Sequence, residues 1–226
     1  MEPLHIKEKQ VQNILEKLKT TKSPGPDGLH PAFLKELASQ LCQPLTLIFN
    51  NGLKLGKLPT DWKKGQITAI FKKGNKSCAG NYRPVSLTSV VSKCMEKIIR
   101  EHTINYFTNN NLFTNKQFGF LSGRSTSLQL LNVLDQWTKE IDEGRSVDCI
   151  YMDFQKCFDT VPHRRLLHKL KGYGTNNQII QWITDFLIGR KQRVSVECTF
   201  SEWMPVLSGI PQGSVLGPLL FVIYIN

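Results

Sequence analysis

Residues 147–159 read VDCIYMDFQKCFD, a short and mostly apolar run that ends on the carboxylate of Asp153 and meets a second carboxylate, Asp159, six positions later. A run of this length with a polar residue at its end predicts a buried strand over Val147–Met152 that delivers Asp153 to a surface cleft. Upstream, Leu128, Leu131, Leu134 and Ile141 recur at helical spacing and are closed by Glu143 and Gly144. Downstream, the segments from about Pro162 to Lys171 and from Asn177 to Leu187 read as helices, each ending near a glycine, Gly172 and Gly189. Arg193–Cys198 then alternates Val194, Val196 and Cys198 on one face, with Trp203–Leu207 as its hairpin partner. Asp159 precedes a helix and reads as its cap.

Working outward toward the N-terminus, Val90–Phe107 is expected to be a helix, and Gln66–Phe71 a strand that runs into the basic turn Lys72–Lys76. Residues 5–20 carry Val11, Ile14, Leu15 and Leu18 among lysines and glutamates, the pattern of an amphipathic helix. The stretch SPGPDG at 23–28 stops it. A second helix starts near Pro31 and turns Phe33, Leu34, Leu37 and Leu41 toward a core, with Pro44 interrupting or kinking it before Leu45–Leu55 resumes the pattern. At the other end, Leu216–Asn226 is an apolar segment that stops without a cap or polar tail, which suggests a fragment.

Lysine and arginine total 29 against 18 acids, a formal charge of +11, so a polyanionic partner is favoured over an acidic substrate. The 40% hydrophobic content is that of a chain with a core, which argues against disorder. Six cysteines at 42, 78, 94, 149, 157 and 198 form no C-x-x-C, so a structural zinc is not expected, and scattered thiols suit a reducing, intracellular setting. No stretch approaches the roughly 20 apolar residues of a membrane span. A soluble protein is expected.

Six segments in one order decide the reading: KSPGPDG at 22–28, NYRPVSL at 81–87, QFGF at 117–120 with GRST at 123–126, DFQKCFD at 153–159, SGIPQGSVLGP at 208–218 and LLFVIYIN at 219–226. Together they resemble the reverse transcriptase domain of LINE-type, non-LTR retrotransposons. The wording of 23–28 and 214–221 is nearer to that version than to the group II intron one. The resemblance implies an α+β fold of fingers and partial palm, with antiparallel palm strands packed on helices. It divides the chain into a helical extension at 1–60, fingers at 61–145 and partial palm at 146–226.

The resemblance further implies template-directed nucleotidyl transfer, in which a primer 3′-hydroxyl attacks the α-phosphate of a deoxynucleoside triphosphate on an RNA template. Two Mg2+ ions about 3.5–4 Å apart would assist it. Asp153 matches the first metal-binding aspartate, and the carbonyl of Phe154 would touch a metal. Phe158 matches the aromatic gate beneath the deoxyribose, although Cys157 stands where the family usually has alanine. Lys72 and Arg83 match the basic residues that hold the triphosphate; Lys73 beside Lys72 leaves open which lysine reaches it. Gln212 and Gly213 match the Pro-Gln-Gly that positions the nucleotide. Ser23, Gly25, Asp27, Gly119 and Arg124 fall on segments near bound nucleic acid.

In the family two adjacent aspartates follow the Ile-Asn motif, and these 226 residues contain no such pair. One carboxylate cannot hold two Mg2+ ions, so the chain alone is expected to be inactive. The alternative is a non-catalytic nucleic-acid-binding remnant of a transposable element.

Overall fold

A computed structural model of the chain describes residues 1–196 and 199–226. The end of the expected strand at Cys198 lies outside the described residues. The first helix, α1 (Glu8–Glu16), buries Val11 and Leu15, and Gln10 Oε1 accepts the Lys7 N–H at 2.9 Å to secure its first turn. In α2 (Pro31–Glu36), proline occupies the first turn and the His30 ring accepts the Ala32 N–H at 3.2 Å. Only Pro31 and Leu34 of α2 are buried; Phe33 is 53% exposed, against the expectation that it faces a core.

Helix α3 (Ala38–Leu55) passes unbroken through Pro44, and the chain turns instead at Leu37. Cys42, Leu45, Thr46, Phe49 and Leu53 form its buried stripe, while Pro44 is exposed. The apolar stripe holds the helix through the one hydrogen bond that proline removes. Gly56 closes α3 in the left-handed conformation, φ 60°, where an added Cβ would sit 2.8 Å from Gln181.

The sheet grows around β1 (Lys64–Phe71), entered through a 3-10 turn over Thr60–Lys63. On one side β2 (Tyr82–Leu87) lies antiparallel, Gln66 opposite Leu87 and Phe71 opposite Tyr82. On the other side β3 (Lys191–Val196) lies parallel, Lys64 opposite Lys191 and Thr68 opposite Ser195. Strands β4 (Thr199–Phe200) and β5 (Met204–Pro205) pair antiparallel with β3. The hairpin partner expected within Trp203–Leu207 therefore forms, and the strands of residues 146–226 pair antiparallel as expected; the parallel β1–β3 seam makes the whole sheet mixed. Arg193 fastens the parallel seam: its guanidinium donates to Gln66 Oε1 at 3.3 Å and lies over Phe200 and Trp203, 3.8 and 4.8 Å from the ring centres.

Helix α4 (Val90–Asn109) starts on Ser89, whose hydroxyl accepts the Ser92 N–H, and α5 (Thr126–Asp142) on Ser125, which does the same for Leu128. Helices α6 (His163–Gly172), α7 (Asn177–Leu187) and α8 (Gly217–Ile225) complete the chain. One core runs from Leu4 to Ile223 and draws on residues from each of the three segments of the expected division. Its centre is α7, which buries Ile179, Trp182, Ile183, Phe186 and Leu187 at helical spacing, Trp182 stacking on Phe186 with ring centres 5.4 Å apart. Asp185 joins α7 to the entrance of β1, accepting from Lys63 Nζ at 2.8 Å and from the Leu58 N–H at 2.8 Å.

One expectation fails here for a physical reason. Val147–Met152 forms no strand: residues 145–154 are irregular, and Ile150, Tyr151 and Met152 are 85, 84 and 85% exposed. Among the described residues no strand lies alongside to accept its backbone hydrogen bonds, and an unpaired apolar strand gains nothing from being extended. Helix α5 does form, but it buries no residue, and Leu128, Leu131, Leu134 and Ile141 all face outward.

Candidate functional site

The loop between β5 and α8 is where the motif residues gather. Its main chain is zipped to residues 158–161: the Ile210 N–H donates to Phe158 O at 2.7 Å and the Gly209 N–H to Val161 O at 3.1 Å. From the other side the Ser86 N–H of β2 donates to Gln212 O at 3.1 Å. Gly213 makes that approach possible. Its φ of +103° suits glycine alone, and an added Cβ would stand 2.5 Å from Ser86 O. Gly213→Ala is therefore expected to lower the unfolding free energy by about 2 kcal/mol, read as a shift in the urea midpoint. An unchanged midpoint would mean that the loop is not seated on β2.

The seated loop, β1, β2 and the start of β3 frame an open cleft of about 400 Å3 lined by Ile67, Pro84, Ser86, Asp159, Arg190 and Gln212 among others. Gln212 Nε2 donates to Asp159 Oδ1 at 2.7 Å, and Ser208 Oγ donates to Asp159 O at 3.0 Å. The role expected of Asp159 as a helix cap is thus corrected: the N-cap of α6 is Pro162, and the Asp159 carboxylate is taken by Gln212. Phe158, half-buried, stacks on Phe221 of α8 with centres 4.7 Å apart and meets Phe120 edge-on at 6.2 Å.

The basic pair sits elsewhere. Lys72 follows β1 and its N–H donates to Asn81 O at 2.9 Å, which continues the β1–β2 ladder, and Arg83 stands opposite Ile70. Both are exposed. The pleat turns Pro84 and Ser86 to the cleft, so Arg83 leaves the hairpin on the opposite face.

Asp153 and Phe154 stay apart from this group, in the exposed irregular stretch, Phe154 at 69% exposure. Among the described residues no three His, Cys, Asp or Glu side chains come together to hold a metal ion. A two-metal centre needs several carboxylate oxygens at one point, and the described residues do not fit one. Cysteine chemistry finds no support at Cys94, whose thiol is pushed up to about 12 by burial.

The remaining motif residues are structural in their contacts. Gly25 packs where a Cβ would stand 2.6 Å from Thr88, so the loop at 23–28 buttresses the turn from β2 into α4; Asp27 Oδ1 accepts the Leu29 N–H at 3.3 Å, and Ser23 is exposed. Arg124 Nη1 donates to the carbonyls of Asn115 at 2.8 Å and Gln117 at 2.6 Å, holding the loop that includes Gly119.

One participant was missed by sequence reasoning. Glu96 of α4 is 1% exposed, and its Oε2 accepts the N–H groups of Val215 at 2.7 Å and Leu216 at 3.1 Å, just before α8; Ser92 Oγ donates to Oε1 at 3.3 Å. Burial raises its pKa; the two N–H groups, the Arg190 guanidinium and Lys93 offset that only in part. Arg190 is itself 4% exposed, donates to Phe186 O at 3.1 Å and lies over the Phe186 ring. A charged residue spaced among Val91, Met95 and Ile98 on the buried side of a helix was the available signal.

A family model described as "Reverse transcriptase (RNA-dependent DNA polymerase)" matches residues 70–226. The chain is 32% identical over 98% of its length to the "Probable RNA-directed DNA polymerase from transposon BS" of Drosophila melanogaster, covering 25% of that protein. It is 33% identical over 95% of its length to the "RNA-directed DNA polymerase from mobile element jockey" of the same organism, covering 24%. To the "Putative 115 kDa protein in type-1 retrotransposable element R1DM", also of Drosophila melanogaster, it is 26% identical over 96% of its length, covering 21%. The chain spans about a quarter of the length of these relatives.

Proposed function

Because the chain belongs to the reverse transcriptase family, we propose that it carries the nucleotide-contacting part of an RNA-directed DNA polymerase from a non-LTR retrotransposon. The observation that carries this reading is the seating of the Pro-Gln-Gly loop on β2, which sets Gln212 and Asp159 around one cleft; Arg83 leaves β2 on the face away from that cleft, so its place on the triphosphate rests on the motif match. Gln212 and Gly213 would meet the sugar and base of the incoming deoxynucleotide, the Phe158 ring would lie beneath the sugar, and Arg83 with Lys72 would hold the triphosphate. The guanidinium fork suits phosphate oxygens better than a lysine point charge. RNA template and DNA primer would follow the basic surface, and the segments 1–60, 61–145 and 146–226 would serve as extension, fingers and partial palm. Among the described residues no helix is long and apolar enough to cross a membrane.

The test is equilibrium binding of a deoxynucleoside triphosphate to the 226-residue chain. Arg83→Ala is expected to weaken it about tenfold or more, as one charge-assisted hydrogen bond to phosphate would. Binding that ignores Arg83 would sink the assignment. Primer extension on an RNA template by the chain alone is expected to stay at background, because among the described residues no three metal-ligating side chains gather at Asp153 or elsewhere.

That same dispersal, with 29 basic residues against 18 acidic ones, favours a second reading as a nucleic-acid-binding remnant. On it, single-stranded RNA binds while nucleotide does not. In either case the logarithm of RNA affinity should fall linearly with log salt, by about 0.7 in slope for each phosphate contacted. Filter binding at 50 and 200 mM salt measures it, and a flat response would remove RNA from both readings.

A further inference from the structure

We propose that Asp159 is a positioning residue that locks the side-chain amide of Gln212 in one orientation, so that the Gln212 carbonyl oxygen is the group offered to the ligand. The inference rests on the reading of Gln212 as a nucleotide contact and adds a residue to it. Both ends of Gln212 are held: its main-chain oxygen takes the Ser86 N–H at 3.1 Å, and its Nε2 donates to Asp159 Oδ1 at 2.7 Å. A carboxylate only accepts, so it must face the nitrogen of the amide, and Oε1 is left pointing away from it.

Asp159 is in turn kept in place by its own backbone. Its carbonyl accepts Ser208 Oγ at 3.0 Å, its N–H donates to Lys156 O at 2.9 Å, and Lys156 takes the left-handed conformation, φ 50°, to close that turn. Gly209 packs so tightly on the Asp159 main chain that a Cβ there would stand 2.6 Å from it. The carboxylate therefore sits on a rigid turn, and a glutamine with three free torsions is ordered before ligand arrives. Ordering a long polar side chain at the moment of binding weakens affinity, and the lock removes that penalty.

The experiment uses the 226-residue chain, Mg2+ and a fluorescent deoxynucleoside triphosphate, with the Gln212 side-chain amide followed by NMR. Asp159→Ala is expected to weaken nucleotide binding about tenfold and to move the Gln212 amide resonances. Asp159→Asn, which keeps an acceptor oxygen, should recover most of the affinity. Gln212→Glu, which sets two carboxylates against each other, should lose affinity, and Asp159→Asn in the same chain should restore it. Asp159 is exposed, so the two single Asp159 variants should melt with the parent, and the half-buried Gln212 variants are compared at temperatures below their own melting. Unchanged affinity in Asp159→Ala, while Arg83→Ala still weakens binding, overturns the lock and leaves the nucleotide site standing. No binding by the parent chain overturns the nucleotide reading itself; unmoved amide resonances in Asp159→Ala would then refute the lock separately.

Discussion

Glu96→Ala should destabilise the chain by about 3–5 kcal/mol, the usual consequence of removing one member of a buried, hydrogen-bonded charge system. The alanine would strand the N–H groups of Val215 and Leu216 and deprive buried Arg190 of the negative charge near it. With total stabilities of roughly 5–15 kcal/mol for a domain, much of the population would unfold, and urea denaturation should register it. A loss below about 1 kcal/mol would mean that water takes the place of the carboxylate.

The same residue sets a pH dependence. Its folded pKa is raised by burial, so protons bind more tightly in the folded state, and its contribution is full below the ordinary value of 4.5 and lost as pH rises through the raised one. Asp185 works the other way: burial pushes its pKa up, but the bonds from Lys63 and the Leu58 N–H, with the charge of Lys57, outweigh burial and hold it down. Its contribution is present above the ordinary carboxylate range and is lost as pH falls through the depressed value. Glu96→Gln should flatten the decline above pH 4.5 and leave the acid limb unchanged. A denaturation series across pH separates the two.

The second large effect is expected at Trp182→Ala, about 3–5 kcal/mol. Trp182 is fully buried at the centre of the core and stacks on Phe186, and Phe49 from α3 meets Trp62 in the same cluster. An alanine there leaves a cavity that helices on two sides cannot collapse into without giving up their other contacts. Thermal melting of the variant checks it, and a melting temperature equal to the parent's would show that α7 is not central to the core.

Helices α4, α5, α6 and α7 were legible because their apolar residues recur every three or four positions, and the turn at Gly213 because its motif needs a residue without a side chain. What stayed illegible depends on partners distant in sequence. The anchoring at the start of α8 has no local signal, because Glu96, which accepts the N–H groups there, lies 119 residues from Val215. The strand expected at Val147–Met152 had the right composition but no neighbouring strand among the described residues, and composition says nothing about neighbours. Asp159 had the look of a cap, yet a donor 53 residues from it in sequence, the Gln212 side-chain amide, claims the same carboxylate. The pairing of β1 with β3 has no local signal at all, since each strand is written as if for a hairpin.

That last pairing orders events during synthesis. The β1–β2 hairpin is complete once Leu87 has emerged, but the other edge of β1 must wait for Ser195, 195 − 87 = 108 residues later. At about 5–20 residues per second this is an interval of roughly 5–20 s, during which the nascent chain offers an unsatisfied strand edge beside the ribosome. A chaperone that binds extended, unpaired backbone would find its target in that window and not on the finished fold, where β3 covers the edge.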